Sequence, residues 1–151
     1  MLGVVRKLIQ TSFIMEVSKE ILKEIAGYLD TGFRVFLNTK TLEIVYLPDE
    51  NKVLDFDSKI WKSEFAKVKK KSNSFIEIEN ISSHENFRIM ENFINSISDK
   101  TLAAKLTQAI EGYKPFANFK FQIDQSGPFR LDWFKFKENE IINFVKSQLE
   151  T

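Results

Sequence analysis

A chain of 151 residues, 43% of them apolar, has the length and the buried surface of one ordinary domain, which excludes a chain kept disordered by its polarity. Its 22 Lys and Arg against 21 Asp and Glu leave a formal charge of +1, which excludes steering of nucleic acid or an anionic membrane by the field of the whole molecule. The absence of cysteine excludes disulfides, a thiolate nucleophile and cysteine-bound zinc, and a reducing, cytoplasmic setting is expected.

Residues 1–14 are mildly apolar, but Arg6 and Lys7 interrupt them where a secretion signal needs an unbroken apolar stretch. Met15 reads as a natural beginning, so residues 1–14 are expected to be an extension, either flexible or translated from an upstream start, and residues 15–151 a single domain. From Ser18, Leu22, Ile25 and Leu29 recur at helical spacing, with Ser18 as N-cap and Gly32 just past the end. Gly27 inside this helix suggests close packing against a neighbour. RVFLN and LEIVYLP, separated by Thr39–Thr41, read as an antiparallel hairpin that Pro48 terminates. A helix over 58–70 places Trp61, Phe65 and Val68 on one face, and SFIEIE at 74–79 alternates as a third strand. Ser82 and Glu85 have capping-box spacing, followed by Phe87, Met90, Ile94 and Ile97 as an apolar stripe. Leu102, Leu106 and Ile110 mark a helix ending near Gly112, and Pro115 suits the first position of another. Beyond Gly127 and Pro128, Trp133, Phe136, Phe144 and Val145 line a long C-terminal helix whose first part also fits an extended strand. The expected class is α+β: a small antiparallel sheet of about three strands with about five helices, mostly C-terminal. No run approaches the ~20 apolar residues that span a bilayer, so no membrane partner is expected.

The helix-to-hairpin passage LKEIAGYLDTGFRVFLNTKTLEIVYLP, the segment ISSHENFRIMENFI, and the pair PFANFK and DWFKFK together resemble the bacterial uncharacterised protein family 0158. The resemblance covers most of the chain after Met15. Its most specific part is Pro115, Phe116, two variable residues, Phe119 and Lys120, followed by Trp133 and Phe136. Members often carry basic residues where this chain has Ala117 and Asn118, a departure that removes cations from the motif. The family has no established activity, so the resemblance implies a fold and a bacterial origin and assigns no catalytic residue.

The residues themselves supply no catalytic constellation. His84, the one histidine, adjoins Ser83 on the first turn of a helix, whereas a hydrolytic triad needs groups that converge from different elements. One histidine and no cysteine argue against a transition-metal site, and five glycines leave no phosphate cradle, so no cofactor is expected. Asp49, Glu50, Asn51, Asp55 and Asp57 are rich in oxygen but lack the central Gly and terminal Glu of a calcium loop, and read as a solvated turn. Glu77 and Glu79 share a strand face and read as exposed.

Two patterns carry a binding reading. Pro115 and Pro128 each begin a segment, and together these bring Lys114, Phe116, Phe119, Lys120, Arg130 and Trp133 into one expected aromatic and basic cluster. Lys120 and Arg130 are expected at its edge. The aromatics serve as core, and the functional reading of the cluster is a surface for a protein or an anionic ligand. The second pattern is the run of six lysines between Lys59 and Lys71, of which Lys62, Lys67, Lys69, Lys70 and Lys71 are the candidate phosphate contacts of a nucleic-acid-binding helix. In that helix Trp61, Phe65 and Val68 are expected to pack inward. The favoured expectation is a small non-enzymatic module that binds another protein, with a nucleic-acid accessory role as the alternative and an enzyme of unrecognised type as the lesser one.

Overall fold

The computed structural model describes residues 17–49, 58–70 and 73–150, and within them the fold is α+β, with a three-stranded antiparallel sheet and six helices concentrated towards the C-terminus. In chain order these are α1 (Lys19–Asp30), β1 (Arg34–Asn38), β2 (Ile44–Leu47), α2 (Ser58–Lys70), β3 (Phe75–Ile78), α3 (Ser83–Ser96), α4 (Lys100–Glu111), α5 (Pro115–Asp124) and α6 (Phe129–Glu150). The expected extension over 1–14 lies outside the described residues. No helix among the described residues is long and apolar enough to cross a membrane. Two compact units are distinguished, one running up to Asn80 and resuming at Ile141, the other Ile81–Glu140.

In the first unit, Ser18 caps α1 by accepting from the Ile21 N–H at 3.3 Å. The helix stops where Gly32 takes a φ of +94° and the N–H of Phe33 reaches back to the Tyr28 carbonyl at 3.0 Å, a left-handed cap that glycine adopts without steric cost. Gly27 is not a packing glycine: a Cβ there would meet nothing within 4 Å. It is an exposed residue of the last turns, whose carbonyl accepts from both the amide and the hydroxyl of Thr31.

The sheet order is β2-β1-β3, so the most buried strand is central and both edge strands are short. Arg34 pairs with Leu47 and Leu37 with Ile44 on one side, and Val35 with Ile78 and Asn38 with Phe75 on the other. The hairpin closes because the buried Asn38 accepts the amides of Lys40 and Thr41 on its side-chain oxygen, while Leu42 adopts a φ of 63°. Alternation puts Phe36, Val45, Leu47 and Phe75 into one cluster, which Trp61, Phe65 and Val68 of α2 cover, as their helical spacing predicts. Arg34 and Glu77, on adjacent strands, form a two-bond ion pair at 2.8 and 3.2 Å. Near the end of β3, Glu79 exchanges two backbone hydrogen bonds, of 2.8 and 2.9 Å, with the side-chain amide of Gln148 in α6.

The second unit is a helical cluster. Ser82 caps α3 through the Glu85 amide at 3.1 Å, and Asp99 caps α4 through the Leu102 amide at 2.9 Å. Only half of the capping box forms, because Glu85 turns to Arg88 at 3.4 Å. The core joins Ile89, Met90, Phe93 and Ile94 with Leu102, Leu106, Ile110, Phe119, Ile123 and Trp133. The buried face of α3 is thus centred one residue away from the expected stripe. Phe87 and Ile97 are partly buried at its margin, and Ile89 and Phe93 take their place. The first part of α6 is helical, not extended, because Trp133 and Phe136 must reach Phe93 together, at 5.2 and 5.4 Å between ring centres.

Candidate functional site

All the features of the candidate site lie in the second unit. The chain leaves α4 through Gly112, Tyr113 and Lys114, the last at φ 53° and ψ 62°, the left-handed region that non-glycine residues seldom occupy. The residue before a proline is pushed out of the right-handed helical region, and Pro115 starts α5 at a position where no amide is needed. Asn118 secures the entry by donating to the Tyr113 carbonyl at 2.6 Å. After α5, Ser126 bonds back to the Ile123 carbonyl and Gly127 takes a φ of +69°, which turns the chain directly into α6. Phe119 of α5 and Trp133 of α6 then meet edge to face at 4.7 Å.

Between α3, α5 and α6 lies a cavity of about 300 Å³. Its buried lining is Met90, Phe119, Ile123 and Trp133, and Phe116 and Phe134, each 44% exposed, stand at its margin. The polar lining is Asn86, Lys120, Asp124, Arg130 and Lys137. Asp124 is shared by two cations: Lys120 Nζ lies 2.9 Å from one oxygen and Arg130 Nε 3.2 Å from the other. The Arg130 guanidinium also covers the Phe134 ring at 4.6 Å, and Lys137 Nζ lies 5.9 Å from the centre of the Trp133 ring, both within cation–π range.

The Lys120 ammonium, and after it the Arg130 guanidinium, hold the Asp124 carboxyl below its ordinary range. Asp124 is therefore a fixed anion at neutral pH, whereas a general acid or base is most effective near the working pH. An apolar pocket with an anchored cation pair at its mouth suits the binding of an apolar group next to a negative charge.

Of the residues singled out from sequence, Phe116, Phe119, Lys120, Arg130 and Trp133 come together around this cavity. Lys114 does not line it and lies instead with its Nζ 5.6 Å from the Tyr113 ring. The aromatics are not all core. Trp133 and Phe119 are buried, while Phe116 is 44% exposed at the cavity margin, where its ring meets Phe87 of α3 edge to face at 6.5 Å. Sequence reasoning missed Asp124, Phe134 and Lys137. Each stands four residues after a partner it meets, as in Lys120/Asp124, Arg130/Phe134 and Trp133/Lys137, so helical spacing was the available signal.

The basic helix α2 is organised differently. Lys62, Lys69 and Lys70 are exposed, but Lys67 is paired with Glu43 at 2.9 Å, and that hydrogen bond raises its pKa. Lys71 lies outside the described residues, as do positions 50–57 of the acidic loop. His84 is exposed on the first turn of α3.

No curated protein and no solved structure matches this chain. One family model matches residues 10–150, a span that includes every motif on which the resemblance rests. The chain therefore belongs to the uncharacterised protein family UPF0158.

Proposed function

We propose that this is a small, non-enzymatic cytoplasmic protein of bacterial origin that binds another protein through the cavity between α3, α5 and α6. One observation carries the reading. Of the seven large hydrophobic side chains exposed among the described residues, five (Tyr113, Phe116, Phe121, Leu131 and Phe134) lie within residues 113–134, the segment that builds the cavity. Two of these five, Phe116 and Phe134, stand at the margin of the cavity. Single exposed apolar residues are ordinary, whereas a pair of exposed aromatic rings at the mouth of a preformed apolar pocket is characteristic of interaction surfaces. The volume is at the lower limit of small-molecule sites, which suits one inserted side chain better than a nucleotide-sized cofactor.

The nucleic-acid alternative has less support. In α2, Trp61 and Phe65 pack against the sheet and are not arranged as stacking platforms, and Lys67 is paired with Glu43.

The test compares the full chain with a Phe116→Ser, Phe134→Ser variant whose melting temperature matches the wild type. A partner captured by the wild type should be lost from the variant, with the contact confirmed between purified proteins. Equal retention of every captured protein by the variant would refute the cavity as the interaction site.

A further inference from the structure

We infer that the cavity takes an acidic peptide segment of the partner, an apolar side chain flanked by Asp or Glu, and that Asp124 is a built-in competitor for the flanking carboxylate. The inference rests on the protein-binding reading above and adds the chemistry of the occupant. The lining carries three cations, Lys120, Arg130 and Lys137, against one carboxylate, Asp124, so the mouth is positive although the whole chain is nearly neutral. These charges surround a pocket whose buried lining is apolar, and complementarity of this kind selects a partner by charge while the pocket supplies the anchor.

The Asp124 pair is arranged for exchange. Lys120 and Arg130 are 78% and 53% exposed, so both cations are open to solvent while they hold Asp124. Lys120 has three donors and contributes one to Asp124, and Arg130 meets Asp124 through Nε, which leaves its two terminal nitrogens for a second carboxylate. The Phe134 ring beneath the guanidinium keeps it at the mouth. An incoming carboxylate therefore competes with Asp124 for the same donors, and removal of the Asp124 charge should strengthen binding.

Three labelled peptide pools test this against the full chain: an apolar anchor flanked by Asp and Glu, the same anchor flanked by Asn and Gln, and the acidic flanks around Gly. The first pool should bind best. Asp124→Asn should tighten the first pool roughly two- to fivefold, the range that exposed ion pairs contribute, and leave the second unchanged. Lys120→Gln with Arg130→Gln should abolish the preference of the first pool over the second. If Asp124→Asn fails to fold, the wild type decides: the preference must shrink as salt is raised. Equal binding of the first two pools would overturn the acidic-partner inference and leave the apolar-anchor reading standing. Equal binding of the glycine pool would overturn the anchor reading itself, and binding of no pool, with or without self-association of the chain, would overturn both.

Discussion

Asp124 illustrates how a residue's role follows from what its neighbours do to its charge. Lys120 and Arg130 lower its pKa in the folded chain, so the stabilisation from this pairing is complete above the ordinary value of 3.8 and is lost as pH falls through the lower folded value. Wild type and Asp124→Asn should differ in thermal melts at neutral pH and converge in acid below about that value. Lys67 has the opposite sign. Glu43 raises its pKa above 10.5, so that pairing is present below the ordinary value and is lost only as pH rises through the raised one. A second contrast concerns the aromatics at the cavity. Trp133 is 8% exposed and contacts Phe93 and Phe119, so Trp133→Ala should cost about 3–5 kcal/mol in denaturant melts. Phe116, at 44% exposure, should cost less than about 1.5 kcal/mol as Phe116→Ala. Equal losses at the two positions would show that Phe116 is core.

At the scale of elements, side chains outside the helices decide where α3 and α4 begin. Ser82 and Asp99 each hold the amide three residues on, at 3.1 and 2.9 Å, so Ser82→Ala and Asp99→Ala should each cost about 1 kcal/mol. Urea melts would read both, and a neutral Asp99→Ala would show that the cap is replaced by water at no cost. Turns decide the rest. Lys114 and Gly127, both at positive φ, bracket α5 and set the direction from which Lys120 and Arg130 approach Asp124. The spacing of Pro115 and Gly127 marks the ends of α5 in the sequence, but the left-handed turn at Lys114 has no signature there, since lysine carries no preference for it.

For the whole molecule, a net charge of +1 and a basic helix whose Lys67 is held by Glu43 predict weak affinity for nucleic acid. Filter binding to mixed DNA and RNA should retain almost nothing at about 0.15 M salt. Retention that falls steeply with added salt would restore α2 as a phosphate contact. The balance of charge does not extend to the cavity lining, where Lys120, Arg130 and Lys137 stand with Asp124 as the one carboxylate and the exposed rings of Phe116 and Phe134 lie beside them.

The sequence by itself determined the elements whose signals are local. Helical periodicity placed α1, α2 and α4, Ser82 and Pro115 marked two starts, Gly32 marked an end, and β-branched and aromatic runs marked the strands. These follow from neighbours three or four residues apart, or from alternation, and need no knowledge of the rest of the chain. Pro115 and Pro128 gave the expectation that Phe116, Phe119, Lys120, Arg130 and Trp133 form one group, but their meeting around a cavity is a contact between separate helices that local spacing does not fix. Only the tertiary structure decided the order β2-β1-β3, the core face of α3 and the helical state of the whole of α6. It also separated Phe119 and Trp133, which are buried, from Phe116 and Phe134, which are not. Each of these depends on which distant residue offers apolar surface, and helical spacing alone makes Phe87 and Phe93 equally eligible until Trp133 and Phe136 arrive to cover one of them.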